Sequence, residues 1–156
     1  MKIVYQPTAL EEWIMTRYKK IGIFSPENLT EEYISRAYRI HFKRSLEAHS
    51  IQLGSLKLIT VKASLDHQQQ REQFYHELCH ILRHEGQQLV MSKAFRELQE
   101  RDAWHFTRYA AIPYHMLFDL DLHDPDIIEI MSDRFKVTPK LCHERLTKIY
   151  NNRKAI

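Results

Sequence analysis

The chain has 156 residues, of which 44% are apolar and 28% charged, with only three glycines. This is the profile of a folded, helix-rich globule, and it excludes disordered, collagen-like and disulfide-scaffold chains. The net charge of +3 is spread over nearly as many acids as bases, so composition alone makes no case for nucleic acid, and no apolar run approaches the roughly 20 residues that cross a bilayer.

In chain order, residues 1–38 read as N-terminal helices. TALEEWIMTRYKKIG opens on a capping box, Thr8 with Glu11, and sets Leu10, Trp13, Ile14, Tyr18 and Ile21 on one stripe before Gly22 ends it. A shorter helix follows from Thr30 to Tyr38. Over residues 39–61, RIHFKRSL, SIQL and SLKLITV alternate apolar and polar positions, with Gly54 and Ser55 as a tight turn, which predicts a small antiparallel sheet. The pattern turns helical over 66–85, from Asp66 through His84, and Gly86 is placed to cap it. Another helix spans 92–111 and is stopped ahead of Pro113. Asp124 before Pro125 and Thr138 before Pro139 each open one of two final helices within 124–150. Nothing divides the chain, so one domain over 1–156 is expected, with helices, a small sheet and more helices giving an α+β fold. Cys79 and Cys142 are the only cysteines and the N-terminus lacks a signal-peptide pattern, so a reducing cytoplasm, with no membrane attachment, is the expected setting.

The chemistry concentrates in YHELCHILRHEG, residues 75–86. His76, Glu77 and His80 form the H-E-x-x-H pattern: four residues of helix advance about 400° and roughly 6 Å, so both imidazoles share a face and can grip one cation. Glu77 lies beside that face, angled toward a water on the open side of a metal rather than toward the metal itself. In a chain with ten histidines the pattern arises by chance in roughly 5% of random orders, so its surroundings must decide. Phe74, Leu78, Ile81 and Leu82 can bury the helix, and the next helix carries the acids Glu97, Glu100 and Asp102. A catalytic zinc site takes a third protein ligand and leaves the fourth vertex to water; Glu100 is preferred to Glu97, because Ala103 and its neighbours let that part of the helix approach closely. On a continuing helix His84 would sit too far along the axis to share the ion, which leaves it a capping or supporting role, and Cys79 reads as a packing residue.

QFYHELCHILRH, then E-x-x-A-x-x-F in ERDAWHF, then a helix end at AAIP, resembles the ImmA/IrrE family of zinc metallopeptidases. The resemblance extends back to the strand LKLITV and forward to FKVTPKLCHERL, about residues 28–150. It departs at Cys79, where the family has glycine, at Thr107, where it has alanine, and at Ala110 to Ile112, where it is leucine-rich; these are packing positions. The resemblance implies a zincin-like domain, its small sheet packed on the H-E-x-x-H helix, with one zinc ion per chain on His76, His80 and Glu100 and with Glu77 as catalytic acid/base. It further implies cleavage of a specific helix-turn-helix transcriptional repressor, of the kind encoded beside such peptidases on phages or mobile elements. Candidate donors to a developing oxyanion are His105, Tyr109, Tyr114 and His115.

Two other readings compete. MSDRFKVTPKLCHERLTKIYNNRK has the form of two helices about a tight turn, with Lys136, Lys140, Arg145, Lys148, Arg153 and Lys154 available to phosphates, as in a DNA-binding helix-turn-helix. Against it, Phe135, Val137, Leu141, Leu146 and Ile149 at helical spacing pack such helices onto a domain, so direct DNA binding is not the favoured reading. A non-catalytic zinc-binding interaction module is the other alternative, but it has no use for Glu77 beside an open vertex.

Overall fold

A computed structural model describes residues 3–84 and 91–155. The elements in chain order are β1 (Ile3–Tyr5), α1 (Ala9–Lys20), α2 (Glu31–Tyr38), β2 (His41–Ser45), β3 (His49–Leu53), β4 (Leu56–Lys62), α3 (His67–Arg83), α4 (Lys93–Ala111), α5 (Ile127–Phe135), α6 (Pro139–Asn151) and β5 (Arg153–Ala155). The fold is α+β, with six α-helices, a three-stranded mixed sheet and a two-stranded antiparallel one among the described residues. Among the described residues no helix is long and apolar enough to cross a membrane.

The chain divides into two compact units, residues 30–107 and residues 1–29 with 108–156, and the division falls inside α4. In the first unit the strand order is β2-β4-β3. β3 and β4 form the expected antiparallel hairpin across Gly54 and Ser55, where Gly54 takes a φ of 59°, a left-handed value suited to the first turn position. β2, however, runs parallel to β4, so the sheet is mixed rather than wholly antiparallel. The cause is visible in burial: Ile59, Thr60 and Val61 of β4 are buried in succession, whereas β2 and β3 are largely exposed. The strand that is buried on both faces takes the centre, and its amphipathic neighbours become edges on either side.

Asp66 caps α3 by accepting from the Gln69 N–H at 2.9 Å. Gln73 then accepts from the Lys62 N–H at 2.8 Å, tying α3 to the end of β4, and Arg71 pairs with Glu31 of α2 at 3.0 Å. Phe74, Tyr75, Leu78 and Cys79 are buried, and Phe42 of β2 meets Phe74 edge-on at 5.2 Å. The proposed cap Gly86 lies outside the described residues; α3 stops at Arg83, and His84 has an extended backbone (φ −115°, ψ 120°).

In the second unit α1 carries the expected capping box, with Thr8 accepting from the Glu11 N–H and Glu11 from the Thr8 N–H. It ends as read at Gly22, whose φ of 82° lets the Ile23 N–H reach back to the Tyr18 carbonyl at 2.9 Å. Thr138 caps α6 as expected, but α5 starts at Ile127 rather than directly after Asp124 and Pro125, because Asp124 spends its carboxylate on a local turn, accepting from the Asp126 N–H. Ile14, Tyr18, Met131, Phe135, Val137, Leu141 and Ile149 are among the buried residues here. β1 and β5 pair antiparallel, a contact between the two ends of the chain that no local pattern announces.

Candidate metal centre

The residues singled out from the sequence meet within residues 30–107. The Nε2 of His76 lies 2.7 Å from one carboxylate oxygen of Glu100, and the Nε2 of His80 lies 3.0 Å from the other. The two Nε2 atoms are 3.4 Å apart. This is the helical spacing argument realised: α3 presents both rings on one face, and α4 brings a carboxylate to them. Glu97 is not part of the group; it is exposed and faces Lys93 one turn back on α4.

The electrostatics favour lone pairs over protons on both rings. Burial pushes the His80 imidazole down to about 4, against the pull of Glu100, with His76 and His84 adding to the fall. Burial lowers His76 as well, again opposed by Glu100. As a neutral ring each imidazole has one nitrogen lone pair to offer, and with the Glu100 carboxylate these ligand atoms lie within one small volume, a donor set that could hold a divalent cation.

Glu77 stands beside these three residues, and burial pushes its carboxyl up to about 7; the hydroxyl of Ser50 on β3 works in the opposite direction by donating to it, and the Glu100 charge adds to the rise. Ser50 is a site residue that sequence reasoning missed, since only the packing of β3 against α3 brings it there. Trp104 was missed too, although its spacing from Glu100 held the signal: it lies one helical turn on, and its ring centroid is 4.3 Å from that of His76. A surface groove lined by Lys93, Arg96, Glu97, Glu100 and Arg101 opens along α4.

Behind these three residues is a second polar group. The Nδ1 of His84 lies 3.0 Å from the Nδ1 of His80, and its Nε2 lies 2.7 Å from Oδ2 of Asp102. Arg83 approaches the same carboxylate oxygen at 3.4 Å, and the Cys79 thiol donates to that oxygen at 3.8 Å. The extended backbone at His84 explains the placement: leaving the helix, the side chain turns back toward His80 instead of climbing the axis. Burial works against the Asp102 charge, but the His84 hydrogen bond and the Arg83 guanidinium hold its carboxyl below the usual range. Burial, with the Asp102 charge adding, pushes the Cys79 thiol far up, in keeping with a packing residue.

Of the residues considered as oxyanion donors, His105 belongs to the same unit as the site, whereas Tyr109, Tyr114 and His115 belong to the other. There the Arg145 guanidinium covers the ring of Tyr109 at 4.6 Å, Tyr114 packs against Tyr5 and Phe118, and His115 sits 3.0 Å from the Ile23 carbonyl. In that unit Arg145, one of the cations counted as available to phosphates, is fully buried against Glu11, and Phe135, Val137, Leu141, Leu146 and Ile149 are all buried. The C-terminal helix pair thus uses these residues for packing.

Comparison with known proteins agrees with the geometry. The family model described as the IrrE N-terminal-like domain (Peptidase_M78) matches residues 30–147, and the chain belongs to this metallopeptidase family. Among its relatives is the phage-like element PBSX protein XkdA of Bacillus subtilis (strain 168), 31% identical over 150 residues, which are 94% of this chain and 75% of that one. The uncharacterized protein YqaB of the same strain is also 31% identical over 150 residues, 94% of this chain and 87% of its own. No solved structure matches.

Proposed function

We propose that the chain is a zinc-dependent endopeptidase that binds one zinc ion per chain through His76, His80 and Glu100, with Glu77 as the acid/base. The observation that carries the reading is the convergence of those three ligand atoms beside a carboxyl pushed up to about 7. The donor set fits: two imidazole nitrogens and one carboxylate hold zinc in hydrolytic sites and leave a vertex to solvent. A zinc ion held there supplies Lewis acidity to the attacking water and to the scissile carbonyl.

The chain's own groups do the rest. Glu77 takes the proton of the attacking water on its carboxylate and passes it to the departing amide nitrogen, and a pKa near neutrality suits both halves of that task. Ser50 holds the carboxylate in place through its hydroxyl. Trp104 lies against the His76 ring and limits the water that reaches it. His105 is retained as the oxyanion donor to test first, since it lies on α4 with Glu100.

The substrate is proposed to be a helix-turn-helix transcriptional repressor in the cytoplasm, cleaved at a specific site so that repression is relieved. Support comes from the resemblance to repressor-cleaving peptidases and from a relative that belongs to a phage-like element. The test is to purify wild type and Glu77→Gln, measure zinc by elemental analysis, and incubate each with candidate repressors. One zinc per chain in both is expected, with cleavage by the variant lower by about 10²- to 10⁴-fold. Equal cleavage by the two proteins removes Glu77 from the chemistry; a wild type without zinc removes the metal.

A further inference from the structure

We propose that Asp102 and His84 are positioning residues: a hydrogen-bonded relay from the Asp102 carboxylate through the His84 ring to Nδ1 of His80 fixes the tautomer of His80 that presents a lone pair at Nε2. The inference rests on the zinc reading above and assigns roles to two residues that this reading does not use.

His80 directs Nε2 at the ligand cluster, 3.0 Å from Glu100, and Nδ1 at Nδ1 of His84, 3.0 Å away. A pair of ring nitrogens at that separation shares one proton, so one ring donates and the other accepts. The second nitrogen of His84 is 2.7 Å from Asp102, and an ionised carboxylate only accepts, so His84 carries its proton on Nε2 and offers the Nδ1 lone pair to His80. His80 must then be protonated at Nδ1, which leaves Nε2 bare. The same assignment follows from the other end, because a ring bound to a cation through Nε2 keeps its proton on Nδ1 and needs an acceptor there. With zinc rather than a hydrogen bond to Glu100 at Nε2 of His80, the two directions agree on the protons of both rings.

Two features separate this from a second metal site made of Cys79, His84 and Asp102, whose ligand atoms also lie close together. Arg83 reaches the Asp102 oxygen at 3.4 Å, which places a fixed positive charge beside any cation bound there. Moreover, the other nitrogen of His84 faces Nδ1 of His80 at 3.0 Å, a contact that the relay uses and a separate metal site would not need.

The experiment measures zinc affinity by competition with a chelating dye for wild type, His84→Phe, Asp102→Ala and Arg83→Gln, with ¹⁵N spectra of the histidine rings in the zinc-loaded wild type. His84→Phe keeps a ring but no nitrogens, and Asp102→Ala keeps both rings but removes the acceptor. Each is expected to weaken zinc by about 10- to 100-fold, the usual effect of losing such a support. Arg83→Gln touches the same carboxylate without entering the relay, and is expected to stay within about threefold of wild type. The wild-type spectrum should report His84 protonated at Nε2 and His80 at Nδ1, a readout that general loosening of the fold does not mimic. Should a variant fail to fold, the wild-type spectrum decides: a proton on Nδ1 of His84 overturns the relay. Wild-type affinity in both His84→Phe and Asp102→Ala also overturns it, as does a second zinc per chain lost in Cys79→Ala. A wild type that binds no zinc ends the metal reading and this inference together.

Discussion

Arg145 and Glu11 form a buried polar cluster, and His76, His80 and Glu100 form a part-buried one, but the two are wired in different ways. The Arg145 guanidinium donates to the Ile112 carbonyl at 2.9 Å and to Glu11 at 2.5 Å, and the second Glu11 oxygen accepts from the Thr8 N–H and the Tyr5 hydroxyl. Donors there face acceptors. At the histidine cluster two imidazoles whose pKa burial lowers face one carboxylate, and Glu100 keeps 42% of its side-chain surface exposed. A buried ion pair with its charges matched belongs to the fold; imidazoles and a carboxylate that remain partly open to solvent are an arrangement that a cation can enter.

The largest expected effect follows from breaking the complete cluster. Arg145→Ala strands a buried carboxylate and is expected to cost about 3–5 kcal/mol in urea unfolding, whereas Glu100→Ala in zinc-free buffer should stay within about 1 kcal/mol of wild type. Comparable losses in the two would erase the distinction. Zinc removal comes next: with free zinc at a thousand times its dissociation constant, a chelator should lower wild-type stability by about 4 kcal/mol and leave Glu100→Ala unchanged. Smaller again is Thr8→Ala, which removes the α1 cap that also positions Glu11, for about 1 kcal/mol in the same assay.

The smallest effect concerns pH. Burial lowers the His115 pKa, with the Ile23 carbonyl opposing and Lys19 adding to the fall, so the neutral ring stabilises the fold above its unfolded value of about 6.5 and that contribution is lost as pH falls through the lower folded value. His115→Gln should flatten the decline between about pH 7 and 5 relative to wild type. An unchanged slope would mean that other groups carry it.

Much of this was legible from the residue order, for a physical reason that recurs from one element to the next. Thr8 with Glu11, Thr30, Asp66 and Thr138 mark helix starts because a cap bonds to a backbone N–H only two or three residues away. His76 and His80 were readable as a pair because one helical turn separates them, and Glu100 because hydrolytic zinc sites need an acid on a neighbouring element. Arg145 was not readable as a buried residue: its partner is 134 positions away, and a lone basic residue on a helix looks the same whether it meets solvent or a carboxylate. Ser50 and the parallel placement of β2 were hidden likewise, since both depend on which strand takes the centre of the sheet.

The amino-acid order by itself thus determined what acts over a turn or two of chain: caps, stripes, the glycine turn at Gly54 and the facing imidazoles of α3. Only the tertiary structure decided that Ser50 reaches Glu77, how His84 folds back behind the imidazoles and which charges are buried, because these depend on contacts between segments that the chain brings together only once its core has formed.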